Sequence, residues 1–335
     1  MKSVAVVILN WNGKKLLEQF LPSVVAHSPE AEIYVADNAS TDESVAFVQQ
    51  AYPQIKIIKN NGNYGFAKGY NEALKDVEED IYALVNSDVD VTKGWLQPVI
   101  DIFEADLETA IIQPKILDYK NKTHFEYAGA AGGYIDMYGF AFCRGRIFDT
   151  IEEDKGQYDT NAQLFWASGA CFFIRKEVYR ELKGFDEDFF AHQEEIDLCW
   201  RAFNKNYKVG FCAQSVIYHV GGATLSASNP HKTFLNFRNS LWMLVKNVPT
   251  GQLLPVLFIR LLMDGLAGIR FLVHRQPANF WAVVRAHFYF FVKIRYFLNK
   301  RESKQYSNYY KINSITYKYF VKSGKVFDLH FNNSL

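Results

Sequence analysis

The run Ile81-Tyr-Ala-Leu-Val-Asn-Ser-Asp-Val-Asp90 constrains this chain more than any other stretch. Its first half, Ile81 to Val85, is short, apolar and rich in strand formers, which predicts a buried strand. Its second half sets Asn86, Asp88 and Asp90 where the strand stops. In open α/β sheets, ligands bind beyond the carboxyl ends of the strands. Carboxylates one residue apart in a turn can offer oxygens to one hard cation, Mg²⁺ or Mn²⁺, which usually shares its coordination with substrate phosphates. A solvated turn accounts for the same residues, because Asp and Asn favour turns. The remainder of the chain decides between the two.

Upstream, strand-like and helix-like patterns alternate. Val4–Leu9 is a near-continuous apolar run, as expected of a parallel strand buried on both faces. The loop Asn10-Trp11-Asn12-Gly13 follows, then a helical pattern from Lys14 to about Ala26. A second strand at Ile33–Ala36 ends in Asp37-Asn38-Ala39-Ser40-Thr41-Asp42, where Ser40 or Thr41 can cap the next helix. Lys56–Lys59 is a third strand, and the Gly/Asn-rich loop Asn60–Gly69 feeds a helix from about Ala67 to Val77. This alternation predicts an open, mostly parallel α/β sheet. The first strand leads into neither a G-x-G-x-x-G turn nor a P-loop, so any nucleotide is held by loop side chains. Asp37 is placed to accept from a base N–H or a ribose hydroxyl; helix capping is the plainer role for it.

From Ile111 to Phe173 glycine and aromatic residues dominate, which predicts strands and loops over the active face. Arg144 and Arg146 flank Gly145; guanidinium groups suit diphosphates, and an ordinary basic loop is the alternative. Further on, Glu194, Glu195 and Asp197 open a helix. Acids in a first turn commonly answer the helix dipole. Three of them beside Phe189 and Phe190 also suit a general base, since apolar surroundings and like charge raise a carboxyl pKa. His219 ends a strand, Val216–His219, and is placed to complete a metal site if the aspartates bind one.

Together these pieces resemble the family 2 glycosyltransferases of GT-A type, especially the rhamnosyltransferase-like bacterial branch. The matching residues are Val7–Gly13, Asp37–Asp42, Asn63-Tyr64-Gly65-Phe66-Ala67 with Gly69 and Asn71, and Leu84–Val89. Gly169-Ala170, Gly184–Phe190, Glu194–Asp197 and His219–Gly222 complete the set, so the resemblance covers about residues 3–225. It implies an open mixed sheet flanked by helices and an inverting sugar transfer from a nucleotide-diphosphate donor. Its motifs place Asn10, Asn12, Asp37, Asn38, Asn63, Gly65, Asn71 and Asn86 on the donor side, where the residues themselves add Arg144 and Arg146 as diphosphate candidates. It makes Asp88 the metal-coordinating carboxylate, with His219 as a further ligand. The register stays open between Asn86/Asp88 and Asp88/Asp90. The base is Glu195 or Glu194, with Asp197 as a third carboxylate.

Charge is divided unevenly. Residues 1–231 carry 21 Lys and Arg against 33 Asp and Glu, whereas 232–335 carry 16 against 3. The division marks a catalytic unit over 1–231 and a basic, apolar helical tail over 232–335. From Phe234 to about Leu298 that tail reads as helices broken at Pro249, Gly251, Pro255 and Pro277. Arg260, Asp264 and Arg270 argue against a spanning helix, and Arg285, Lys293 and Arg295 repeat the pattern. Amphipathic helices in a membrane interface, anchored by Trp242 and Trp281, fit; packing on the catalytic unit or a homodimer interface is the alternative. The tail is too apolar between its charges for a nucleic-acid binder. The four cysteines include no C-x-x-C pair, so reduced buried thiols are expected rather than a zinc site. Val4–Leu9 is too short for a signal peptide. The resemblance implies a cytoplasmic enzyme, peripheral at the cytoplasmic face of the membrane, with a glycan or lipid-linked acceptor. A catalytically weak nucleotide-sugar-binding partner subunit is the rival reading.

Overall fold

A computed structural model describes residues 2–221 and 229–328; Gly222, which closes the His219 motif, lies outside them. The first half alternates strands and helices: β1 (Val4–Asn10), α1 (Lys14–His27), β2 (Ala31–Asp37), α2 (Ser44–Ala51), β3 (Lys56–Lys59), α3 (Gly65–Ala73) and β4 (Ile81–Asn86). Then come β5 (Val89–Val91), α4 (Gln97–Ala105), β6 (Thr109–Asp118), β7 (Gly133–Ile135), β8 (Ala141–Cys143), β9 (Arg146–Ile147), β10 (Thr150–Ile151) and β11 (Ala162–Leu164). The rest is β12 (Cys171–Arg175), α5 (Lys176–Glu181), α6 (Glu194–Asn204), β13 (Lys208–His219), α7 (Pro230–Asn247), α8 (Thr250–Val273), α9 (Pro277–Asn299) and α10 (Ile315–Phe320).

The main sheet runs β11-β13-β6-β12-β4-β1-β2-β3, with β5 added to β13; β7 to β10 form a separate small sheet. β3, β2, β1 and β4 are parallel, whereas β12 runs antiparallel between β4 and β6. The sheet is therefore mixed, as the resemblance implies and not mostly parallel as the alternation of patterns alone predicts, because β12 enters from the opposite end. Side chains alternate between two cores, as a period of two requires. Ala5, Val7, Tyr82 and Leu84 face α3, α6 and α7. Val4, Val6, Ile8, Ala83 and Val85 face α1 and α4. Burial on both faces explains why β1 and β4 are apolar throughout.

The boundary expected at residue 231 falls within the first turn of α7, a helix that belongs to the first core. Leu241, Trp242, Met243, Leu244 and Val245 of α7 are buried with Phe185, Phe189 and Trp200. Trp242 lies flat on Phe297, ring centroids 4.3 Å apart, so it is a core residue and not an interface anchor; Trp281 is exposed. The tail forms three long helices, parted at Val248–Pro249 and at His274–Gln276, so Pro249 and Pro277 mark breaks as expected while Gly251 lies inside α8. Pro255 does not break α8; it stands near the helix start, where few intrahelical donors are lost. The expected helix over 67–77 begins at Gly65 and ends at Ala73, followed by a short 3₁₀ turn. All four cysteines are buried and unpaired. Among the described residues, no helix is long and apolar enough to cross a membrane.

Candidate active site

Strand register brings the polar residues together. Asn10 pairs with Asp37 across β1 and β2, and Leu9 pairs with Asn86 across β1 and β4. On the other flank His219 pairs with Val89 across β13 and β5. The carboxyl ends of four strands thus share one edge of the sheet, where ligands of open α/β sheets bind.

At the centre of that edge Asp88 Oδ1 lies 3.1 Å from His219 Nε2, although the two are 131 residues apart in sequence. The Val220 amide donates to the Asp88 carbonyl at 3.2 Å, tying the two segments. Behind the ring, His219 Nδ1 lies 3.4 Å from Glu126 Oε1, an ion-pair distance. Burial disfavours the imidazolium, but hydrogen bonds to Asp88 and Glu126 outweigh it and push the His219 pKa up to about 10. Two buried carboxylates around one imidazole make a site that demands positive charge, which a proton or a cation can supply. Among the described residues no group of three or more His, Cys, Asp or Glu forms a self-sufficient metal cage. The Asp88–His219 pair offers one carboxylate and one imidazole, a donor set suited to a cation that takes its other ligands from phosphate oxygens. Asp90 faces away from this pair, toward Lys122 at 3.8 Å.

The residues expected on the donor side form one hydrogen-bonded network, in which Asn10, Asp37 and Asn38 are buried and Asn12 and Asn63 exposed. Asn10 Nδ2 donates to Asp37 Oδ1 at 3.0 Å and to Ser40 Oγ at 3.1 Å. The Ser40 amide donates to Asp37 Oδ2 at 3.0 Å. Asn12, with φ +51°, accepts the Thr41 amide at 2.7 Å and so holds the β2–α2 loop against the β1–α1 loop. Asn38 Nδ2 donates to the Gly65 carbonyl at 2.9 Å, and Asn63 Oδ1 accepts the Gly65 amide at 3.1 Å. Gly65 is required there: its φ is +71°, and a Cβ would stand 2.7 Å from the Phe190 ring.

Glu194 and Glu195 begin α6 from the opposite wall. Burial raises both carboxyls, Glu195 to about 7, and the Glu195 charge adds to the rise at Glu194. Among the described residues, the Oε2 atom of each is buried without a hydrogen-bond partner. The Glu195 carboxyl packs against Gly169, and the Ala170 carbonyl next to it accepts the Asn86 amide at 3.0 Å. A carboxylate poised near neutrality, beside the strand end that carries Asn86 and Asp88, suits proton abstraction.

Other candidates are employed elsewhere. Asp197 is buried among Lys246, Arg201 and Asn247, each within 2.8 Å, and these cations hold its carboxyl below the usual range despite burial. Asn71 spends its amide on Phe185 N and O, Glu187 and the Tyr179 hydroxyl. Arg144 stacks on Phe211 and donates from Nε to the Ala131 carbonyl. Arg146 stacks on Tyr127 and donates to its carbonyl. Both guanidiniums brace the small sheet and the loop before it, with backbone carbonyls and aromatic rings as their partners. Glu126 was not foreseen, since a lone Glu in a glycine- and aromatic-rich stretch gives no periodic or spacing signal.

A glycosyl transferase family 2 model matches residues 5–183. Among relatives, a low-salt glycan biosynthesis hexosyltransferase of Haloferax volcanii is 21% identical over 71% of this chain and 74% of its own. An N-acetylglucosaminyl-diphospho-decaprenol L-rhamnosyltransferase of Mycobacterium tuberculosis is 24% identical over 58% and 68%. A mannosyltransferase of Pyrobaculum calidifontis, solved with GDP-Man and Mn²⁺, superposes with TM-score 0.54 at 14% identity over 88% of each chain. TarS 1–349 of S. aureus, solved with UDP-GlcNAc, gives TM-score 0.55 at 15% identity over 85% and 81%. The mixed, curled sheet flanked by helices is the GT-A fold of these neighbours. With more than half of its length matched, and with a polar strand-end cleft of this build, the chain belongs to glycosyl transferase family 2 and is a glycosyltransferase.

Proposed function

We propose that the protein transfers a sugar from a nucleotide-diphosphate donor to an acceptor hydroxyl in one displacement, inverting the anomeric carbon. The observation that carries this reading is the meeting of Asp88 and His219 at 3.1 Å on the edge that also holds Asn10 and Asp37. Asp37 and the Asn10–Asn12 loop receive the nucleoside. Asp88 and His219 would hold a manganese or magnesium ion, which when bound supplies positive charge against the departing diphosphate. Glu126 keeps the His219 ring turned toward Asp88. Glu195 takes the acceptor proton as the acceptor oxygen bonds to the anomeric carbon. The bond from that carbon to phosphate oxygen breaks, and its electron pair leaves with the nucleoside diphosphate. General-base help of this kind is typically worth about 10²–10⁴ in rate.

The acceptor is a glycan or a lipid-linked saccharide; the names of the hexosyltransferase and rhamnosyltransferase relatives support this. Peripheral membrane contact goes with it. On α8 Leu254, Phe258, Leu262, Leu266, Ile269 and Val273 form an exposed stripe, and Trp281, Phe288 and Val292 continue it on α9. Around that face Arg270, Arg275, Arg285 and Arg295 are exposed, while the one acid of the two helices, Asp264, is buried. An apolar face with a cationic surround suits an anionic lipid surface. Thermal-shift screening of UDP-GlcNAc, GDP-mannose, UDP-glucose and dTDP-rhamnose with and without manganese tests the donor assignment. A manganese-dependent rise for one donor is expected; no response to any nucleotide sugar would oppose the reading.

A further inference from the structure

The stretch between Asp186 and α6 is held in an unfavourable backbone. Phe190, His192 and Gln193 all have positive φ, at +64°, +71° and +74°. None is glycine, and each such residue costs on the order of 1–3 kcal/mol unless its surroundings over-determine it. Phe190, with ψ −60°, centres a γ-turn of the rare φ-positive form. The Ala191 amide closes that turn on the Phe189 carbonyl at 2.8 Å.

One side chain from α7 meets three carbonyls of this stretch. Asn239 is fully buried. Its Nδ2 lies 2.9, 2.9 and 2.7 Å from the carbonyls of Phe189, Ala191 and His192, so its two protons serve three acceptors, one of them shared. Arg238 grips the other end of the amide, with Nε and Nη2 donating to Asn239 Oδ1 at 2.9 and 2.8 Å. That grip fixes which way the amide points. The strained turn reaches the cleft on both sides. The Phe190 carbonyl accepts the amides of Phe66 and Ala67 at 2.9 and 3.2 Å, so it caps α3 behind the Gly65 loop. Gln193 is the N-cap of α6, directly before Glu194 and Glu195.

We infer that Asn239 is a positioning residue: gripped by Arg238, it clamps the strained Phe190–Gln193 turn and thereby sets both the general-base glutamates and the cap of α3. The inference rests on the proposed role of Glu195 for its catalytic consequence, but not for its structural one. Asn239 touches no substrate in this account. Its effect passes through the turn, which relaxes toward negative φ when Asn239 no longer donates to the Ala191 and His192 carbonyls and the Phe189 carbonyl keeps only the Ala191 amide and Arg238.

The test is hydrogen exchange and donor turnover in full-length Asn239→Asp and Asn239→Ala. Asn239→Asp keeps the volume and the Arg238 contact but cannot donate to the carbonyls. Exchange at the amides of Phe66, Ala67 and Ala191 should quicken by about 10-fold or more, with β1 and β4 unchanged, as expected of local opening. Manganese-dependent hydrolysis of whichever nucleotide sugar the wild type accepts should lose kcat by about 10-fold or more while KM stays within about 2-fold, since misplacement of catalytic groups affects rate before binding. Wild-type exchange at those three amides in either folded variant would overturn the inference. So would uniform acceleration across β1 and β4, or outright unfolding of both variants, because Asn239 would then hold the whole fold. Local exchange without loss of rate, together with full activity in Glu195→Gln, would instead remove the assigned base and leave the clamp standing.

Discussion

Glu194 is buried and Glu195 half-buried, and among the described residues the Oε2 atom of each finds no hydrogen-bond donor, which costs stability and suits the proposed base. Burial lifts Glu195 to about 7 from an ordinary 4.5. The base must be ionised, so the rate should rise with pH through about 7 and level above it. Glu195→Gln should lower kcat by about 10²–10⁴ with donor binding retained, measured by turnover and calorimetric titration of the nucleoside diphosphate. The stability sign runs the other way. With a raised folded pKa, the folded state binds more protons than the unfolded one between about pH 4.5 and 7, so stability falls as pH rises across that window. Glu195→Gln should therefore melt higher than wild type at pH 8, by about 2 °C or more, and equally at pH 5; a lower melting point at pH 8 would contradict the burial argument. At this scale Asp88 and His219 were legible, because strand ends followed by Asp or His carry a positional signal. Glu126 and Asn239 were not, because neither is marked by spacing and only tertiary contact gives them a role.

Helix α7 decides how far the catalytic unit extends. Its Lys246 lies between Asp186 and Asp197 at 2.7 and 2.8 Å. Lys300 at the end of α9 reaches Asp186 and Asp188, both at 2.6 Å. These buried pairs hold Asp186 down to about 2 against the effect of burial. Removing one partner of a buried ion pair strands the other, so Lys246→Ala should cost about 3–5 kcal/mol in chemical denaturation. A chain cut after residue 231 should fail to give a cooperative thermal transition, because it lacks Trp242 and its neighbours in the first core; a sharp melt from that piece would restore a boundary there. The first four strands were readable from their apolar runs. The continuity of α7 with the core was not, since helical periodicity shows which face is apolar but not what covers it. Glu194 to Asp197 looked alike in sequence, and only Lys246, Arg201 and Asn247 separate the structural Asp197 from the two glutamates.

Seen whole, the uneven charge of the chain is partly internal: tail lysines 246, 293 and 300 pair with Asp186, Asp188 and Asp197 of the acidic half. The arginines of α8 and α9 that remain exposed surround the apolar stripe. Phe258→Glu with Leu262→Glu should cut co-sedimentation with phosphatidylglycerol vesicles by about 10-fold or more, through lost apolar insertion and added repulsion, while leaving manganese-dependent donor hydrolysis intact; unchanged sedimentation would point to another occupant of that face. The open sheet was evident from the alternation of patterns, whereas its mixed character came only with the family resemblance, because nothing local distinguishes an antiparallel β12 from a parallel one. The most direct test of the whole account is nucleoside diphosphate release from the accepted nucleotide sugar, titrated with manganese in wild type and Asp88→Asn. Release that saturates with manganese in wild type and falls by about 10²-fold or more in Asp88→Asn is the predicted result; the same rate in both proteins, with or without the metal, would contradict it.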